Sequence, residues 1–239
     1  MSDPALVVVG TTIPAYVMDQ EDTWSAWLHN AEAMLEQYPD AQFFAACEVD
    51  DRGKRVFDPL FERLREVNGD WWTFSLDDGN DRVTTGNRLR RITTGQNLVV
   101  DFALSRKATA LLFMAADCAP PADAIPRLLE VNVSLIGGQV DTYCLDGPVA
   151  KSYIPRYGND IREHMPTAAF VLVRTWLFED GLRWRWSFLH GSDDPCLARD
   201  AQYVHGVKPY VHHGLKGRHF PEAIGPIETR GHNMSLRQL

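Results

Sequence analysis

The strongest constraint in this sequence is a succession of short apolar runs separated by stretches of helical periodicity. Ala5–Val9 is an unbroken apolar run closing on Gly10, the pattern of a strand buried on both faces of a parallel sheet. Between Asp22 and Tyr38 the residues Trp24, Trp27, Leu28, Ala31, Leu35 and Tyr38 recur at helical spacing, with Asp22 or Thr23 as cap and Pro39 as stop. Gln42–Val49 predicts a second strand, the cluster Asp50-Asp51-Arg52-Gly53 a turn, Phe57–Val67 a helix and Trp71–Leu76 a third strand. The polar, glycine-containing stretch Asp77–Gly86 predicts a loop and Gly95–Ser105 a helix. Ala108–Ala116, the most apolar run, predicts a strand that closes on Asp117.

Beyond Asp117 the pattern loosens. Pro120 and Pro121 precede Ala122–Val131, which has helical composition, and Ser134–Tyr143 predicts another strand. A Gly/Pro-containing section covers Asp146–Pro166, and Ala168–Leu177 returns to the sheet; from Pro226 onward apolar periodicity is lost. Strands alternating with helices in the first half predict an α/β fold, a mostly parallel central sheet flanked by helices, with its ligand site at the carboxyl ends of the strands.

Composition narrows the function classes. A formal charge of -8 argues against a general binder of phosphate backbones and leaves only a local basic groove open. The first apolar run follows Met1–Pro4 without a basic region and is far too short to span a bilayer. Cys47, Cys118, Cys144 and Cys196 are scattered, with none of the paired spacings of a zinc site, and are expected to be reduced thiols. Together these features give the expectation of a cytoplasmic protein without a membrane span.

Several residues carry chemistry. Asp117 is a lone carboxylate at the end of a buried strand, where it faces the crevice or caps the next turn. Arg88 and Arg91 precede the helix that leads into this strand; a planar guanidinium suits bidentate phosphate contact, and a solvated basic face is the other reading. Asp193 and Asp194 are adjacent acids that oppose each other's ionisation, or else a helix cap with an acid-rich first turn. His212 and His213, as neighbours on a strand, point to opposite faces. Trp184 and Trp186 alternate with Arg183 and Arg185, which predicts an amphipathic strand with its tryptophans in the core; sugar stacking is the alternative.

The order of these features resembles the GT-A glycosyltransferases. Leu111-Leu-Phe-Met-Ala-Ala-Asp117 is similar to their Asp-x-Asp strand, with Ala115 in place of the first acid and Asp117 at the position of the metal-ligating aspartate. Gly191-Ser-Asp193-Asp194 resembles their Gly-x-Glu-Asp element, and Gly206–His219, a strand-like run followed by a glycine-rich loop, resembles the strand after it, with His219 where the family completes its metal shell. The resemblance spans about Ala5 to His219. It implies one catalytic domain over 1–225, with a nucleotide half over about 1–118 and an acceptor half over about 119–225, then a tail over 226–239. It implies Mn2+ or Mg2+ on Asp117 and His219, His212 and His213 competing for the latter role, and a nucleotide-diphosphate sugar as donor, UDP among the family's nucleotides. The donor would meet Thr11, Asp50, Arg88, Arg91, Asn97, Lys216 and Arg218, with Glu48 and Asp51 as alternatives to Asp50. Asp194, or Asp193, would be the general base of an inverting transfer to an acceptor hydroxyl on a protein, glycan, lipid, small molecule or modified nucleobase.

Two other readings stay open. A nucleotidyltransferase shares such a sheet, although Gly10-Thr-Thr-Ile-Pro14 lacks the basic residues those enzymes carry after the first strand. A noncatalytic protein that binds sugar nucleotides or glycans would account for Ala115.

Overall fold

The computed structural model describes residues 6–14, 21–49, 58–76, 85–116, 118–140, 142–143, 150–151, 158–167, 169–186 and 193–219. The strands are β1 (Val7–Ile13), β2 (Ala41–Glu48), β3 (Asp70–Phe74), β4 (Ala110–Met114), β5 (Cys118–Ala119), β6 (Leu135–Val140), β7 (Thr142–Tyr143), β8 (Ala150–Lys151), β9 (Ile161–Glu163), β10 (Phe170–Arg174) and β11 (Tyr210–His219). The helices are α1 (Glu21–Gln37), α2 (Asp58–Glu66), α3 (Thr85–Ser105), α4 (Ala124–Glu130), α5 (Trp176–Glu179) and α6 (Asp193–Tyr203).

The main sheet runs β3-β2-β1-β4-β10-β6-β11-β5, with β9 beside β11, while β7 and β8 form a separate pair. Its first four strands are parallel. Beyond them the sheet is mixed: β10 is antiparallel to both β4 and β6, and β11 is parallel to β6 but antiparallel to β5 and β9. The carboxyl ends of β1, β2, β4, β6 and β11 therefore share one edge.

Period-two alternation sorts the strand side chains into two cores. Val7, Val9, Phe43, Ala45, Leu112, Met114 and Leu172 pack under α1, α2 and α4, with Trp27, Leu64 and Ile125. Val8, Phe44, Leu111, Phe113 and Val171 pack under α3, α5 and α6, with Val99, Phe178 and Leu197. The result is a helix–sheet–helix sandwich.

Three expectations change. α3 starts at Thr85, ten residues before Gly95, because Gly95 is an interior residue of the helix: a Cβ there would overlap the side chain of Thr12, so the glycine allows close helix–strand approach. The apolar run after 168 ends as strand at Arg174 and turns into α5. Residues 182–186 form no strand; Trp184 is in the core, its backbone N–H donating to Asn97 Oδ1 at 2.9 Å and its carbonyl accepting from Asn97 Nδ2 at 2.9 Å.

Candidate functional site

The chain leaves β1 toward β2 and β3 on one side, then places β4 on the other. This reversal of strand order lies between β1 and β4, and in open α/β sheets the ligand crevice forms outside the carboxyl ends at such a switch point. Ile13 ends one of these strands, and Met114, followed by Ala115 and Ala116, ends the other.

Asp117 lies outside the described residues, but both its flanks are fixed. The N–H of Ala115 donates to the carbonyl of Ala169 and that of Cys118 to the carbonyl of Ala115, each at 3.0 Å. β5 follows at once and is antiparallel to the end of β11, with Arg218 opposite Ala119 and His219 opposite Cys118. The register thus puts the backbone of His219 across from the residue next to Asp117. Directly opposed residues in an antiparallel pair have Cα atoms about 4.5–5.5 Å apart.

β11 reaches β5 through an irregularity. His212 pairs with Gly138 and Lys216 with Gln139, so His213, Gly214 and Leu215 are extra residues bulged between two consecutive β6 partners. The run expected to be a short strand and a glycine-rich loop is one bulged strand. His212 is the last paired residue before the bulge and His213 the first within it: the N–H of Gly214 donates to His212 Nδ1 at 3.2 Å, and His213 Nδ1 lies 3.2 Å from Gln139 Oε1. Burial pushes both imidazoles below their ordinary value, aided by Arg127 at His212 and by His164 at His213. Lys216 is exposed beyond the bulge.

On the other flank, Arg91 is buried in α3 and forms an ion pair with Glu48 at the end of β2, the two side chains 7% and 2% exposed. Burial also pulls the guanidinium below its ordinary value. Thr11 is fully buried in β1, and its hydroxyl has no hydrogen-bond partner among the described residues. Asn97 is engaged with the backbone of Trp184. Arg88 lies in the first turn of α3, and Asp193 and Asp194 open α6, whose Asp200 holds Arg185 through two bonds of 2.5 and 2.6 Å. Asp50 and Asp51 lie outside the described residues. The structure therefore pairs His219 with Cys118, the residue after Asp117 in the sequence, and Arg91 with Glu48.

Two features of this region were missed in the sequence: the Glu48–Arg91 pairing and the crossing of Gly217 over Cys118. The second had a readable signal, since a glycine within a strand marks a bulge or a close backbone approach. Among the described residues no group of three or more His, Cys, Asp and Glu side chains could hold a metal ion, and no helix is long and apolar enough to cross a membrane. A carboxylate and an imidazole, with diphosphate oxygens completing the shell, are a donor set suited to manganese.

No family model matches the chain, and no curated protein matches it in sequence. Solved structures do match its fold. The mannosyltransferase PcManGT from Pyrobaculum calidifontis, in complex with GDP-Man and Mn2+, superposes with a TM-score of 0.57 at 10% identity, covering 96% of this chain and 59% of that one. GalNAc-T7 with UDP, GalNAc and Mn2+ gives a TM-score of 0.55 at 12% identity, covering 92% of this chain and 44% of that one. The chain spans about three fifths of the first neighbour and less than half of the second. The strand order, the switch point between β1 and β4 and these superpositions agree: the chain has the fold of the GT-A glycosyltransferases.

Proposed function

We propose that the chain is a metal-dependent glycosyltransferase that moves a sugar from a nucleotide-diphosphate sugar to an acceptor hydroxyl, with inversion. The observation that supports this reading is the β5–β11 register, in which His219 pairs with Cys118, the residue after Asp117 in the sequence. Asp117 and His219 would hold the divalent cation, which when bound supplies Lewis-acid neutralisation of the departing diphosphate.

The chain's own groups do the rest. Lys216, next to the bulge, and Arg218 would bind and orient diphosphate oxygens as the leaving group accumulates charge, and Arg88 would add a third cation. Arg91 is already neutralised by Glu48, so in this reading it shapes the nucleotide end rather than meeting phosphate directly. Thr11 and Asp50 would meet the nucleoside, and Asn97 fixes the segment at Trp184. Asp194, with Asp193 beside it, accepts the acceptor hydroxyl's proton as that oxygen bonds to the anomeric carbon and the bond to diphosphate breaks.

Calorimetry with Mn2+ and a nucleoside diphosphate tests the pair. Asp117→Ala and His219→Ala are expected to weaken metal-dependent binding by about one to three orders of magnitude, the scale of a lost charged ligand. His212→Ala and His213→Ala are expected to retain it. Equal affinity in wild type and Asp117→Ala would overturn the assignment.

A further inference from the structure

Side chains hold the middle of the β11 bulge. His212 pairs with Gly138 and Lys216 with Gln139, so His213, Gly214 and Leu215 lie outside the β6 ladder. The N–H of Gly214 donates to His212 Nδ1 at 3.2 Å, and its carbonyl accepts from Arg127 Nη2 at 3.5 Å. The N–H of His213 donates to the carbonyl of Asp160 at 2.9 Å. His212 itself is 9% exposed, with Gly138 opposite it on β6 and Ile161 opposite it on β9.

An imidazole nitrogen that accepts a hydrogen bond carries no proton, so the neutral ring of His212 has its hydrogen on Nε2. A proton taken from solvent occupies the lone pair of Nδ1. Two N–H groups then face each other where one donated to the other, and the contact with Gly214 turns from attractive to repulsive. The ring has little room to turn away, because it is buried and its Cε1 lies 3.1 Å from the position that a Cβ of Gly214 would take. The glycine yields more readily. Gly214 is half-buried, within reach of water, and as an extra residue it moves without breaking a pair with β6.

The charged and titratable groups around the ring set the acidity at which this happens. Arg127 faces it from α4, with Asp123 at the start of that helix, and His213 from β11; Gly138 on β6, Ile161 on β9 and Asn159 beside Gly214 carry no charge. Burial, Arg127 and His213 oppose protonation, while the ring's own backbone carbonyl and Asp123 favour it, and the balance lies below the ordinary value.

We propose that His212 is an acid-operated latch on the β11 bulge: the neutral ring holds the N–H of Gly214, and the protonated ring releases it, freeing residues 213–215 while the ladders on either side stay paired. The paired carboxyl end of β11 begins at Lys216, directly after the bulge, so release gives that end a hinge. The latch does not depend on what the crevice binds.

An NMR titration of the whole chain from about pH 7.5 to about pH 4.5 tests it by following the His212 ring, the Gly214 amide and, in β4, the Leu112 amide. Gly214 and His212 are expected to titrate with one midpoint below 6.5. Through that midpoint the Gly214 amide should lose about tenfold or more of its protection from hydrogen exchange, corrected for the intrinsic effect of pH, while Leu112 keeps its own. His212→Asn supplies an Oδ1 acceptor that does not titrate, and it should keep Gly214 protected throughout. His213→Gln should leave the transition in place.

A Gly214 amide that ignores the titration of His212 overturns the proposal, as does a transition that persists in His212→Asn or vanishes in His213→Gln. Protection lost in step at Leu112 overturns it too, because the whole chain and not the bulge would be opening. So does a ring that stays neutral until the chain unfolds. The readings on His212, Gly214 and Leu112 come from wild-type protein and require no variant to fold.

Discussion

Asp193 and Asp194 occupy the first two positions of α6, where exposed backbone N–H groups and the helix dipole favour negative charge. That setting explains an acidic pair with no catalysis at all, so the discriminating variant keeps the shape and removes the charge. Asp194→Asn is expected to preserve donor affinity and to lower turnover by about 10²–10⁴, because the group acts on the acceptor proton. The same assay on Asp193→Asn detects a one-residue shift in roles. Full turnover in both variants, with a working acceptor, would leave capping as the account of the pair. At this scale the sequence was legible where chemistry is local: a lone carboxylate closing an apolar run is visible in one dimension. It was not legible where the partner is distant. Nothing near Arg91 announces Glu48, and nothing near Asn97 announces the backbone of Trp184, because both contacts are created by α3 lying across the sheet.

Elements were read well where apolar periodicity ran uninterrupted. α1, α2, β2 and β4 fall within a residue or two of their expected bounds. Misreadings gathered at glycines. In the sequence Gly95 reads as a helix start and Gly214 and Gly217 as loop residues, whereas all three lie inside elements, with no space for a Cβ at Gly95 and only tight space at Gly214 and Gly217. A glycine that permits contact and one that permits a turn are the same letter, and only the third dimension separates them. The Glu48–Arg91 pair belongs to this scale because it ties the end of β2 to the first half of α3. Glu48→Ala removes the carboxylate paired with a buried guanidinium and is expected to destabilise the protein by about 3–5 kcal/mol, whereas Glu48→Leu with Arg91→Met should lie much closer to wild type. Urea unfolding gives both values. A Glu48→Ala loss below about 1 kcal/mol would mean that water reaches the pair and screens it.

Across the whole molecule, the two histidines of the β11 bulge link stability to pH. Arg127 and a neighbouring imidazole act with burial on His212, and His164 and Arg162 act with burial on His213, while Asp123 and Asp160 oppose them. In the folded protein both rings therefore stay neutral below 6.5, their ordinary value, while the unfolded chain takes up protons there. The unfolded state then binds more protons than the native one, so stability falls as pH drops from 6.5 toward the native values and levels off below them. The urea midpoint is expected to decline between about pH 7.5 and about pH 5.5, and His213→Gln should flatten part of that slope. A midpoint that rises over the same interval would contradict the assignment.

The position of β11 in the sheet also has a consequence for the order in which the protein can assemble. β1 to β4 pair through crossovers of adjacent segments, so this block can close as soon as residue 114 is available. β11 joins β6 and β5 from far along the chain, with His219 and Cys118 roughly a hundred residues apart, and such contacts carry the largest loop-closure entropy. A chain emerging amino end first completes β4 early and acquires His219 about a hundred residues later. Proteolysis between α6 and β11 would strip β6 of its outer neighbour and leave the parallel block intact, so metal uptake should vanish well before that block unfolds.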